Sequence, residues 1–254
     1  MNKEANTSSL AGDFASEPVM WMPDGSPHSP RFNDRYRSRS GGVMQASAVF
    51  LAGTGLPAAW RGRDRFSVLE TGFGLGVNFL CTWAAWEADP QRCGSLQFAS
   101  VEAFPVATDD LVRSARKAGL EGHPDSCIAS RLPELAEQLA RAWHGLSQGI
   151  HHWNFADGRV QLTLAVGEVQ ATLPILDCQA DAVYLDGFSP AVNPQMWSAE
   201  TLTLVAQQCR QGATLATYTV ARSVRDRLQQ LGFRVERCPG LPPKRDRLQA
   251  VFRP

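Results

Sequence analysis

Hydrophobic positions along this chain fall into short continuous runs that end in an acid or a glycine, separated by longer stretches in which apolar residues recur at helical spacing. Val68-Leu69-Glu70 closes one such run, glycines follow at 72, 74 and 76, and Val77, Phe79, Leu80, Trp83 and Ala84 then mark one side of a helix. The pattern predicts a strand, a tight turn and a helix. Further strands are predicted at 96–101, running into Glu102; at 161–166, running into Gly167-Glu168; and at 181–185, running into Asp186-Gly187. Strands at 213–219, 233–237 and 248–252 complete the set, with helices at 44–51, 105–118, 133–143, 198–210 and 221–231, the last closed by Gly232. Strands separated by helices, then two strands close together, describe an α/β fold with a mainly parallel, seven-stranded sheet and an antiparallel edge strand. His151-His152 falls in a predicted surface loop, where adjacent side chains diverge too far to share a metal.

Composition narrows the picture. The 254 residues are 44% hydrophobic and 20% charged, ordinary for a globular chain, and the net charge of zero leaves no overall field to draw the protein to nucleic acid or membrane. Any such binding has to come from a local patch. Six scattered cysteines without a Cys-x-x-Cys pair suggest neither a zinc site nor a disulfide framework, so reduced thiols and no metal are expected. The first twenty residues lack the apolar core of a signal peptide and no run reaches membrane-spanning length, which predicts a cytoplasmic protein without membrane contact. Residues 1–18 offer few apolar groups and are expected to be disordered. Residues 19–65 form an N-terminal extension facing the substrate, and 66–254 the main domain. Within the extension, Arg31, Arg35, Arg37 and Arg39 interleave with Phe32 and Tyr36. They form either a phosphate-contacting, stacking surface or a solvated loop with two anchoring aromatics.

The glycine turn carries the candidate chemistry. Glycine admits positive φ and lets a ligand approach the backbone, while free amides at the helix start attract an anionic group, so a nucleotide-like cofactor fits. A dinucleotide fingerprint would place its third glycine one position later. Glu70-x-Gly72-x-Gly74-x-Gly76 instead resembles the loop of class I S-adenosylmethionine methyltransferases, whose fold is Rossmann-like. In open parallel sheets ligands sit beyond the carboxyl ends of the strands, so Glu70, Glu102, Glu168 and Asp186 are expected to converge on one crevice. Glu70 would hold the cofactor ammonium, Glu102 the ribose hydroxyls and Glu168 the adenine amino group.

The segments 70–80, Leu185-Asp186-Gly187-Phe188-Ser189-Pro190 with Asn193-Pro194 and Trp197, and Gly240 with Lys244-Arg245 closely resemble the MnmC methyltransferase family, also found alone as MnmD. The resemblance runs from about Trp21 to Phe252. It implies S-adenosylmethionine as cofactor, tRNA as partner, and methylation of the aminomethyl group on wobble 5-aminomethyl-2-thiouridine. It further implies cofactor binding by Glu70, Gly72, Phe73, Gly74, Gly76, Asn78, Glu102, Glu168 and Asp186, and substrate binding by Arg35, Tyr36, Lys244 and Arg245. Asp186 is the catalytic candidate, orienting the amine, with Phe188 and Pro190 as its apolar wall. Bifunctional members carry a flavin (FAD) oxidase domain, so a fused or separate oxidase partner is implied. Departures fall at the substrate end: Asn33-Asp34-Arg35-Tyr36-Arg37-Ser38 replaces the family's Asp-Asp-x-Tyr-Phe-Ser, Gln45 stands where a Glu is usual, and Glu168 where Asp is common. Two enzyme alternatives are a small-molecule amine methyltransferase and an aminopropyl transferase, neither of which needs the basic segments. A non-catalytic RNA-binding module is a third, against which the four strand-end acids speak.

Overall fold

The structure, a computed structural model, describes residues 16–38, 40–120, 126–242 and 244–254. Most of the 1–18 segment read as disordered, and Arg39, lie outside the described residues. Glu17 does lie within them: it bridges to Val106 and pairs with Arg31 at 3.0 Å.

Three short strands, β1 (Met20–Trp21), β2 (Pro27–Ser29) and β3 (Asp34–Arg35), make a small antiparallel sheet ahead of α1 (Gly42–Gln45). The predicted helix at 44–51 begins as α1 and continues as a π-helical turn over Ala46–Leu51. The main domain then runs β4 (Arg65–Glu70), α2 (Val77–Ala88), β5 (Ser95–Glu102), α3 (Thr108–Leu120), α4 (Ser126–Ala142), β6 (Gly149–Phe155), β7 (Val160–Val166), α5 (Val169–Thr172), β8 (Ala180–Tyr184), α6 (Ala199–Gln207), β9 (Cys209–Thr217), α7 (Arg222–Gln230), β10 (Phe233–Pro239) and β11 (Asp246–Phe252). Its strands form one sheet in the order β10-β11-β9-β8-β4-β5-β7-β6.

The sheet has eight strands where the sequence predicts seven. The extra one is β6, which contains His151 and His152 and pairs antiparallel with β7, so both borders of the parallel centre are antiparallel. The predicted loop is thus an edge strand. Ile150, His152 and Asn154 face solvent while Trp153 and Phe155 pack on the core, and pairing with β7 holds the strand without a continuous apolar run. Helix α3 starts at Thr108, later than the predicted 105, and α4 starts seven residues before Pro133, which sits inside it. Proline at a first turn is the commoner arrangement, and it misplaced that boundary.

Strand β4 shows why the sheet sits where it does. Val68 joins the core beneath α2, α3 and α4, while Leu69 joins the core beneath α6 and α7, as the two-residue period of a strand requires. Both faces are covered, so the strand reads as a continuous apolar run. Parallel registers Glu70↔Ser100, Glu70↔Tyr184 and Glu102↔Val166 bring the carboxyl ends of β4, β5, β7 and β8 to one edge. Among the described residues no helix is long and apolar enough to cross a membrane, and no group of three His, Cys, Asp or Glu is placed to hold a metal ion.

Candidate active site

A cavity of about 390 Å³ opens at that edge, in the size range of small-molecule sites. The loop after β4 forms its floor. Phe73 donates its amide to Val101 O at 3.1 Å and stacks on Trp143 with ring centroids 5.1 Å apart, which fixes the loop on β5 and α4. Gly74 lines the cavity with φ 52°, a region that side chains rarely adopt. Gly76, at φ 70°, caps α2 from behind: its left-handed backbone favours glycine, and a Cβ there would also lie 3.0 Å from the Phe73 ring. Gly72 lines the cavity where the loop passes closest to Asp186 and Gly187.

Three of the four strand-end acids line this cavity: Glu102, Glu168 and Asp186. The Glu102 carboxylate accepts the amides of Gly74 and Phe104, each at 2.8 Å, one on either oxygen. Burial nevertheless raises its pKa. Each oxygen keeps a lone pair for a vicinal diol. Glu168 stands exposed at the rim, after Gly167. Asp186 accepts Asn78 Nδ2 on one oxygen and the Gly187 amide on the other, each at 2.9 Å. Burial pushes its pKa up to about 6, against the lowering effects of those two donors and of Lys244.

Glu70 does not converge with the others. It is fully buried beneath the cavity wall, accepting Ser100 Oγ at 2.7 Å and Asn78 Nδ2 at 2.9 Å, and burial raises its pKa to about 8. Glu70 does not line the cavity, and the Asn78 amide bridges it to Asp186.

A second cavity, about 320 Å³, adjoins the first, and both are lined by Arg35, Tyr36, Arg37, Gln45, Asp186 and Gly187. Asp186 thus stands in the partition. On the first side Phe188 stacks on Phe32 at 4.6 Å and meets the Tyr36 ring edge-on at 5.0 Å. Pro190 lines neither cavity, so the apolar wall is supplied by Phe188, Phe32 and Phe104. On the second side Lys244 lies over the Tyr218 ring, while Arg245 lines neither cavity. Arg35 is tied to Asp24 and Ser26.

Several lining residues had no flag in the sequence. Thr71 Oγ1 donates to Asp186 O at 2.7 Å and accepts the Asp186 amide at 3.0 Å, clamping β4 to β8. Asp34 accepts the Ser189 amide at 3.0 Å and so joins the N-terminal extension to the loop after β8. Tyr218, just beyond β9, donates to Gly187 O at 2.7 Å. Its place at a fifth strand end was a usable signal. Thr71 and Asp34 act through contacts more than a hundred residues away in the chain.

An open parallel sheet, a glycine loop at the first strand end and acids at the next three define a class I S-adenosylmethionine-dependent methyltransferase. Residues 130–253 match the family model described as S-adenosyl-L-methionine-dependent methyltransferase. The tRNA 5-methylaminomethyl-2-thiouridine biosynthesis bifunctional protein MnmC of Acidovorax sp. (strain JS42) is 54% identical over 239 residues, covering 94% of this chain and 36% of that protein. The MnmC of Cupriavidus metallidurans is 47% identical, with 94% and 34% covered. The crystal structure of MNMC2 from Aquifex aeolicus superposes with a TM-score of 0.70 at 22% identity, covering 93% of this chain and 72% of that one, which shows the same fold. Just under half of the chain matches this methyltransferase family, and the chain is homologous to the matching third of the MnmC proteins.

Proposed function

We propose that the chain methylates the 5-aminomethyl group of wobble 5-aminomethyl-2-thiouridine in tRNA, giving 5-methylaminomethyl-2-thiouridine. The observation that carries this reading is the pair of cavities meeting at Asp186: a cofactor-sized chamber with diol and amine acceptors, and beside it a chamber open to a modified base. The cradle at Gly74 and the acceptor set of Glu102, Glu168 and Asp186 suit S-adenosylmethionine, which when bound supplies an electrophilic methyl group. Glu102 would hold the ribose, Glu168 the adenine edge, and Gly72, Phe73, Asn78 and the strand-end backbone the methionine end, with Glu70 and Gly76 acting from behind.

The chain's own part in the chemistry is to aim an amine and keep water out. Asp186 would accept a hydrogen bond from the amine and stabilise the positive charge that grows on nitrogen. Phe188 and Tyr36 form the dry wall next to it. Residues 19–65 would face the substrate, since Arg35, Tyr36, Arg37 and Gln45 line both chambers.

RNA is favoured as the carrier by the uneven charge of a neutral chain. From Cys209 to the end there are ten Lys and Arg against three Asp and Glu. The turn between β10 and β11, with Lys244 and Arg245, lies at the same sheet edge as the cavities. The relatives are bifunctional by name and this chain spans about a third of their length, so a fused or separate FAD-dependent oxidase is the proposed partner, in the cytoplasm. Nucleoside analysis after incubating the protein with S-adenosylmethionine and tRNA bearing 5-aminomethyl-2-thiouridine tests the reading. Formation of the methylaminomethyl nucleoside is expected, and its absence with a cofactor-binding protein would reject this substrate.

A further inference from the structure

Lys244 and Arg245, neighbours in a turn, have different surroundings. Arg245 lines neither cavity, whereas Lys244, although an exposed residue, carries its Nζ to 3.6 Å from the centroid of the Tyr218 ring on the wall of the second cavity. Tyr218 is itself pinned by its 2.7 Å hydrogen bond to Gly187 O. The ammonium is therefore stationed over a ring anchored to the residue that follows Asp186, on the wall of the chamber that would receive the methyl acceptor.

We propose that Lys244 is a positioning residue whose fixed positive charge keeps an aliphatic amine acceptor in its neutral, nucleophilic form beside Asp186. The inference rests on the amine-methylating reading above. A primary alkyl amine with a pKa of ~10, as for lysine, is almost wholly protonated at pH 7 and has no lone pair to offer. An ionised Asp186 alone would hold it in that state. A second cation in the same chamber opposes the ammonium and costs the neutral amine nothing.

The other charged groups of the chamber leave room for this role. Asp246 pairs with Arg237 at 3.5 Å, and Asp34 accepts the amides of Ser189 and Arg35. Arg35 is engaged with Asp24, and Arg247 donates to Val49 O and Pro239 O. Arg37 completes the basic side. The phenols of Tyr36 and Tyr218 are driven far above neutrality by burial, so neither supplies a phenolate. Desolvation lowers the Lys244 pKa, while attraction from Asp186 and Asp34, together with the ring face, favours its charged form.

The test is a pH profile of single-turnover methyl transfer at saturating cofactor and tRNA for the wild type, Lys244→Met and Lys244→Arg. A charge a few ångströms away at protein-like screening moves an amine pKa by about one unit or more. Lys244→Met should therefore move the acid limb up by about one pH unit and slow transfer about tenfold at pH 7, with the gap to the wild type narrowing as the pH rises past about 9 toward the amine pKa. Lys244→Arg should keep the wild-type limb. An unshifted limb with weaker, less salt-dependent tRNA binding would make Lys244 a phosphate contact and overturn the proposal. A loss equal at every pH would make Lys244 a structural residue and overturn it as well. If the wild type methylates no aminomethyl-bearing tRNA, the substrate reading fails and the proposal falls with it.

Discussion

Replacing Asp186 by Asn separates what this carboxylate does for chemistry from what it costs the fold. Its pKa in the folded chain is about 6 against an ordinary 3.8. The sign follows from linkage: between those values the native state binds the proton more tightly than the unfolded chain, so stability falls as pH rises through the window and stays lower above it. Two pH units correspond to at most about 3 kcal/mol, nearer 2 once solvent reaching the partly exposed side chain is allowed for. Asp186→Asn keeps one oxygen for Asn78 or Gly187 and removes the charge. It should therefore raise Tm by about 4–8 °C at pH 7 for a chain of this size, and change it little at pH 4. Turnover should fall about 100-fold or more in Asp186→Ala, the usual range for a positioned acid–base group. Asn should do less harm if orientation by the oxygen matters most, and nearly as much if proton acceptance does. Calorimetric melts at the two pH values and single-turnover methylation at saturating cofactor read the two effects independently. Full turnover in Asp186→Ala would reduce the carboxylate to a strand-end acid. An unchanged melting temperature in Asp186→Asn at pH 7 would refute the linkage reasoning.

Glu70→Gln should preserve cofactor binding and flatten the fall in stability that Glu70 imposes as pH rises from the ordinary carboxylate range toward 8, because the neutral side chain can still accept from Asn78 on its oxygen and donate its amide to the Ser100 hydroxyl, which turns to accept. Loss of cofactor affinity in a folded Glu70→Gln protein would restore Glu70 as a direct ligand. Glu102→Ala should weaken S-adenosylmethionine by about 1–3 kcal/mol, through unpaired hydroxyls and a loosened Gly74 amide, and an unchanged dissociation constant by titration would take Glu102 out of the site. Arg245→Ala should lower the slope of log tRNA affinity against log salt by up to about one unit while leaving the pH profile of methyl transfer unmoved; a constant slope would leave Arg245 a solvated turn residue.

Much of this protein was legible along the chain because it is encoded in local patterns. Buried parallel strands are continuous apolar runs, and the glycines at 72, 74 and 76 fix a turn that few other residues allow. Acids just past strand ends must lie at one edge of a parallel sheet, and Glu102, Glu168 and Asp186 all line the first cavity, as topology alone led one to expect. The tertiary structure decided matters that depend on what lies across the fold. Strand β6 pairs along the edge that β7 offers it, and its mixed sequence has no continuous apolar run to announce it. Glu70 has the same address as the other acids, yet Ser100 and Asn78 enclose it beneath the cavity wall. Lys244 and Arg245 are equivalent as letters in a basic turn. Only the position of the Tyr218 ring, fixed by a hydrogen bond to Gly187, gives one of them a place inside the chamber and leaves the other outside it. Burial and partner geometry are sums over residues distant in sequence, and no periodicity within a segment records them.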